Sequence, residues 1–457
     1  MKVTCVGIDS TAQQTVKLTP EMLAATGARY SRNNEGLEAI LSKVEGMDPD
    51  KAVDSIFKMV DYGHRSITDM APVAMFIDDV SLWMALRLWQ WSPTAGGQES
   101  STRYVKLKLE NIVKPPKADA DYNDLMAEAF AAYETAYEIW SEAAEVDPSI
   151  MNLPDGMEKG DKALPRMRRN FAFDRARYFL PMSCQTNVML EMSARGWVDL
   201  IKMLWSDYNA ESVELAELMT ENLGLATPRL TRHARPDESF SSGLTKELET
   251  VRKTAYEQTP LSVSKLHSAG AYCEITPPKM KENDLQAAIV GDLEDHNGRY
   301  DYFGPTIRRT AVRFGWAALT IAELRDLNRH RTGTKTFDLT PVGCYFADDQ
   351  VSKLSLSNPD AAKDLDGLRE CGERLVARAL KMAQKGDPSY VYYLPLGAQC
   401  AYEHITTADK FLYQCELRTG LGAHYTYAAR MREVLACWHG RFPATKTMIV
   451  PGTAEPE

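Results

Sequence analysis

Apolar residues return every three or four positions along 50–62, 79–90, 120–145, 196–222, 317–331, 359–384 and 407–437, which predicts helices there. β-Branched or alternating apolar residues predict strands at 1–7, 71–77, 184–192 and 309–316. The order is not the regular strand–helix alternation of a doubly wound sheet, so the pattern predicts an α+β fold. No Gly-x-Gly-x-x-Gly follows a predicted strand, which disfavours a dinucleotide-binding crossover.

The pattern repeats. Tyr178-Phe179-Leu180-Pro181-Met182-Ser183-Cys184-Gln185 returns 214 residues later as Tyr392-Tyr393-Leu394-Pro395-Leu396-Gly397-Ala398-Gln399. The same offset pairs Ala194 with Ala408 and Leu204 with Arg418. The run ending Leu88-Trp89-Gln90-Trp91 resembles the run ending Asn328-Arg329-His330-Arg331, and a long helical pattern precedes each Leu-Pro motif. Agreement in order and spacing favours two diverged copies of one domain over chance likeness of short apolar runs. We expect copy one at 1–230, a linker with a short helix at 231–260, and copy two at 261–457. The region around the join is rich in Pro and Ser, and the helical stretch 244–256 interrupts it.

A chain of 457 residues, 44% hydrophobic and 25% charged, can bury two sizeable cores. A net charge of -10 argues against general nucleic-acid binding, so its cationic clusters are expected to be local sites for small anions. None of the eight cysteines forms a Cys-x-x-Cys pair, which leaves zinc and redox motifs without support and suggests reduced thiols in the cytoplasm. The opening run is interrupted at Asp9, too soon for a signal peptide, and no apolar run is long enough to span a membrane.

Three short motifs carry candidate chemistry. In Leu324-Arg325-Asp326-Leu327-Asn328-Arg329-His330-Arg331, Arg325 and Arg329 share a helix face, and His330 and Arg331 extend the cluster. Guanidinium forks suit phosphate oxygens; cations also gather at helix C-termini simply to offset the macrodipole. Gln98-Glu99-Ser100-Ser101-Thr102-Arg103-Tyr104 follows Gly96-Gly97, so it reads either as a phosphate-embracing loop or as an ordinary polar turn. Arg177 precedes the first Leu-Pro, where the second copy has Val391, and Arg418 stands where the first copy has Leu204. Each of these arginines also fits a helix surface. The remaining histidines show no metal-ligand spacing, and the tryptophans lie on apolar patterns that read as core.

Together these residues resemble the flavin-dependent thymidylate synthases, the ThyX family. That family carries Arg-His-Arg, then Ser-x-Arg-Tyr, then Ala-Arg-x-x-Leu-Pro and a helical Leu-Arg. Here the second copy holds Arg329-His330-Arg331 and Leu417-Arg418, and the first holds Ser101-Thr102-Arg103-Tyr104 and Ala176-Arg177-Tyr178-Phe179-Leu180-Pro181. Ala28-Arg29-Tyr30-Ser31 and Gly63-His64-Arg65-Ser66 resemble the family's early segments. Trp89-Gln90-Trp91 replaces Arg-His-Arg in copy one, and Val342-Gly343-Cys344-Tyr345 replaces Ser-x-Arg-Tyr in copy two. The losses are complementary. Family enzymes are homotetramers with sites shared between subunits, so the resemblance implies that two copies in one chain keep one composite site.

By that resemblance, Glu99, Ser101, Thr102, Arg103, Arg177 and Arg329 bind a pyrimidine nucleotide. Ser66, Arg195, Arg329, His330 and Arg331 bind FAD. Arg418 lies at the pyrimidine edge as the catalytic residue. The implied reaction is reductive methylation of dUMP to dTMP with methylenetetrahydrofolate and NADPH, in a homodimer that is a pseudo-tetramer of copies, with no metal. Asp326 stands where the family usually has Gln. It leaves open C5 alkylation of another pyrimidine nucleotide by flavin, and a non-catalytic nucleotide- or flavin-binding protein is the third reading.

Overall fold

The structure is a computed structural model that describes residues 1–6, 18–32, 34, 36–45, 47–61, 65–103, 106–116, 118, 120–151, 162–207, 209–258, 271–355, 358–420 and 423–452. Tyr104, Gly63 and His64, named in the motifs above, lie outside them. Helices and two antiparallel sheets make up the chain, the mixed α and β content expected.

The chain divides into two compact units that are discontinuous in sequence. One comprises Met1–Ser100, Asn111–Pro116 and Gln185–Glu247; the other comprises Ser101–Glu110, Lys117–Cys184 and Leu248–Glu457. The first unit holds β1 (Lys2–Val6), β2 (Pro72–Ser81), β3 (Gly96–Glu99) and β4 (Gln185–Ser193), in the spatial order β1-β2-β4-β3. The second holds β5 (Ala271–Thr276), β6 (Ala311–Thr320), β7 (Thr334–Phe337), the two-residue β8 (Gly343–Cys344) and β9 (Ala398–Thr407), in the order β5-β6-β9-β7 with β8 also on β9.

The two sheets share local devices. The β2–β4 register shifts between Ile77 and Val80, and the β6–β9 register shifts between Trp316 and Leu319. Each long strand then runs straight into a helix, with Ser81 capping Leu82–Trp91 and Thr320 capping Ile321–Asn328. These joins correct two sequence expectations. The helix predicted from residue 79 begins at Leu82, because Asp79 sits at φ 59 in the bulge and its N–H is held by Asn187 Oδ1 at 3.0 Å. The helix predicted from 317 begins at Ile321. The alanine-rich end of β6 is still paired with β9 through Leu319 and Thr320, so ladder pairing overrides alanine's helix preference.

Two other predicted helices are each a pair. The pattern 196–222 divides into Ala194–Ser206 and Ala210–Ala226, the second capped by Asn209 Oδ1 on Glu211 N at 3.0 Å. The pattern 407–437 divides into Ala408–Arg418 and Tyr425–Arg441, the second capped by His424. Short polar caps interrupt apolar periodicity without erasing it, so the pattern runs across the break. The helix expected at 244–256 extends over Glu238–Gln258.

In the second unit the long helices Ala120–Val146 and Pro359–Gln384 are tied by Arg374–Glu128 at 2.7 Å and Arg378–Asp121 at 3.0 Å. Between them the two Leu-Pro motifs pair reciprocally. Met182 N donates to Leu394 O and Leu396 N donates to Leu180 O, both at 2.8 Å, about a Pro181–Pro395 bridge. Phe179 stacks on Phe346 with centroids 4.9 Å apart, and Tyr122 meets Tyr393 edge-on at 5.1 Å.

Candidate functional site

Four segments of the second unit bring arginines into one buried locus. The helix Leu164–Ala176 runs into a 3-10 turn, Arg177–Phe179, which leaves Asp174 and Arg177 buried on successive turns. Ser101 Oγ accepts from Arg103 N at 3.1 Å, a local turn that fixes the backbone beneath Arg103. The helix Ile321–Asn328 presents Arg325 and Asp326, and Arg329 is its C-cap, donating its N–H to Leu327 O.

Arg103 grips Asp174 with two parallel bonds, Nε to Oδ1 at 2.8 Å and Nη2 to Oδ2 at 3.0 Å. Arg177, 1% exposed, pairs with Asp326 Oδ2 at 3.2 Å. Arg325 Nη1 reaches Thr102 Oγ1 at 3.3 Å. Arg418, last residue of its helix, donates Nε to His330 Nε2 at 3.0 Å and Nη2 to the Asp326 carbonyl at 3.3 Å, and its guanidinium lies 5.2 Å from the Tyr427 ring centroid.

The electrostatics follow from this packing. Burial alone would push the Asp174 carboxyl up, but Arg103, His424 and Arg177 together hold it down at about 2. Burial opposes the Asp326 charge as well, yet Arg177, Arg329, Arg418 and Arg103 hold that carboxyl well below its ordinary range. Four guanidiniums therefore act on two carboxylates, a locus of net positive charge. His330 is pushed far down by burial and then by Arg418, so it is neutral and accepts at Nε2. His424 is pushed down to about 3 by burial, then Arg177; its Nδ1 accepts from Thr426 N and its Nε2 donates to the Asp174 carbonyl at 3.0 Å.

Behind the Arg329–Arg331 turn, Lys335 Nζ donates to the Asn328 carbonyl at 2.5 Å, and burial followed by Arg331 lowers its pKa to about 7. Gly333 makes the intervening turn at φ 87, where an added Cβ would sit 2.2 Å from the Ile405 carbonyl oxygen.

Thr102, Arg103, Arg177, Arg329, His330 and Arg418 are thus in one unit. Ser101 is half-buried beside them in the chain, and Arg331 is exposed. Glu99, Ser66 and Arg195 belong to the other unit: Glu99 accepts from Trp89 Nε1 at 3.1 Å, Ser66 is exposed, and Arg195 pairs with Asp69 at 3.0 Å. Asp174, Lys335 and His424 are members of the locus that the motifs did not single out. Asp174 had a signal, as the one acid among Arg166, Arg168, Arg169, Arg175 and Arg177.

Among the described residues no cluster of His, Cys, Asp or Glu could hold a metal ion, and no helix is long and apolar enough to cross a membrane.

The family described as Thymidylate synthase complementing protein matches residues 14–229. A flavin-dependent thymidylate synthase of Clostridium tetani is 23% identical over 220 residues, 48% of this chain and 83% of the relative. The UPF0159 protein Ta1429 of Thermoplasma acidophilum is 22% identical over 459 aligned residues, 87% of this chain and 88% of that protein. A crystal structure of thymidylate synthase X from Helicobacter pylori with FAD and dUMP covers 51% of this chain and 100% of its own, at 18% identity and TM-score 0.30.

Proposed function

From the match over residues 14–229 and the arginine locus, we propose that this chain is a flavin-dependent thymidylate synthase-like enzyme that reductively methylates dUMP to dTMP. Methylenetetrahydrofolate is the one-carbon donor and NADPH the reductant in this reading. The observation that carries it is convergence. Arg103 and Arg177, from the first half of the sequence, act in one buried locus on Asp326, with Arg329 and Arg418 from the second.

The chain's own residues have these roles. Arg103 and Arg177 present guanidinium edges to the nucleotide phosphate, Thr102 and Ser101 add hydroxyl donors, and Arg329 completes the anion site. Arg418 places a fixed positive charge at the pyrimidine edge, where it stabilises negative charge as the ring is activated. Neutral His330 accepts from Arg418 and so orients it. The donor set of the Arg329–Arg331 turn would hold the diphosphate of FAD. Bound flavin supplies the electron transfer that the side chains cannot. Support for a duplicated domain comes from the matching strand orders, the matching strand-to-helix joins and the reciprocal Leu-Pro pairing. Two copies per chain imply a homodimer, and eight free cysteines suit the cytoplasm.

Asp326 favours a second reading, alkylation of a different pyrimidine nucleotide. Its carboxylate already takes Arg177 Nη2, at 3.2 Å, so the phosphate or sugar must be accommodated differently.

The test is tritium release from dUMP labelled at C5, with purified protein and its bound flavin. Arg103→Ala and Arg418→Ala each lower turnover by about a hundredfold or more, and mixing the two variants does not restore it. Recovery on mixing refutes a site built within one chain. Bound flavin without release from dUMP, but with release from another labelled pyrimidine nucleotide, favours the second reading.

A further inference from the structure

A polar cavity of about 640 Å³ lies in the same unit as the arginine locus, and Arg103, Arg177, Arg329 and Arg418 do not line it. One wall residue is the buried Arg175, 6% exposed. Aromatic rings surround the guanidinium, with Phe171 at 3.5 Å and Tyr425 at 4.4 Å from ring centroid to the central carbon. Its edge donates to the Phe171 carbonyl at 3.1 Å and to Gln350 Oε1 at 3.2 Å, and Nε is buried with no acceptor. Both acceptors are neutral. The neighbouring Asp174 is gripped by Arg103. A buried charge with only neutral acceptors is costly, and an anion relieves that cost.

The acids on the same walls already have donors. Glu323 Oε2 accepts from Thr320, Glu433 from Trp316 and Arg430, and Asp349 from Tyr345. Arg432, exposed on the rim, reaches only the Thr419 carbonyl, at 3.4 Å. We propose that this cavity binds a small organic oxyanion, carboxylate or phosphate, taken edge-on by Arg175 and held at the rim by Arg432. A run of packed tyrosines and hydrogen bonds connects it with the arginine locus. Tyr345 bonds Tyr425 and meets Tyr178 edge-on with ring centroids 5.0 Å apart, Tyr178 bonds Thr426, and Thr426 bonds His424, which donates to the Asp174 carbonyl. Occupancy therefore bears on the residue that fixes Arg103.

This inference stands apart from the proposed reaction. Calorimetric titration of the full chain with pyrophosphate and, separately, citrate tests it. The expected result is saturable binding of one probe that persists in Arg418→Ala and weakens about tenfold in Arg432→Ala, whose exposed position spares the fold. Arg175→Gln abolishes it. Pyrophosphate binding identifies a phosphate ligand and citrate binding a carboxylate. Undiminished binding by Arg432→Ala, loss only in Arg418→Ala, or no binding of either probe overturns the proposal.

Discussion

At the scale of single residues, Asp174 and Lys335 show how burial divides the work among charges. Asp174 gives Arg103 a rigid acceptor and, through its carbonyl, holds His424. Replacing it by Asn leaves the Arg103 charge without its buried counterpart, so Asp174→Asn is expected to lower stability by about 3 kcal/mol in urea titrations at neutral pH. The folded carboxyl is held at about 2 against an ordinary 3.8, so its contribution is complete above the unfolded value and lost as pH falls toward 2. The variant should therefore lose less stability than the parent across that acid limb. Lys335 has the opposite sense. Its folded pKa of about 7 against 10.5 means the unfolded chain binds more protons between those values, so stability rises with pH there. In Lys335→Met that rise should flatten in thermal melts taken from pH 7 to 10; an unchanged slope counts against a buried amine at this turn.

At the scale of elements, the strand-to-helix joins aim the arginines. Thr320 and Glu323 form a reciprocal capping box, with Thr320 N on Glu323 Oε2 at 2.8 Å and Glu323 N on Thr320 Oγ1 at 3.1 Å. That cap fixes where the helix starts, and hence the rotation at which Arg325 and Asp326 emerge. Thr320→Ala should lower stability by about 1 kcal/mol and raise KM for the nucleotide more than it lowers kcat. An effect on kcat alone would show that the cap does not orient the proposed binding residues. The capping pair is legible in the sequence as Thr-x-x-Glu, and the 317–331 periodicity concealed it because alanines in β6 satisfy helical and strand patterns equally. The long helix 359–384, by contrast, was legible to its ends, since Asn358 caps it and no ladder competes.

At the scale of the whole molecule, the proposed duplication has a definite consequence: light scattering of the purified protein should give the mass of two chains, about 102 kDa. A fully active monomer would exclude the pseudo-tetramer. The sequence by itself determined the two-fold recurrence of Leu-Pro motifs and long helices, the arginines to watch, and the lack of metal-ligand spacing, because periodicity and residue chemistry are local properties. Only tertiary structure decided that Asp174 and Asp326 sit among those arginines, that His330 is neutral, and that Lys117–Cys184 packs in one unit with Leu248–Glu457. Ion-pair partners and burial depend on through-space distances between segments far apart along the chain, and a desolvated charge takes its pKa from whichever groups the fold brings beside it.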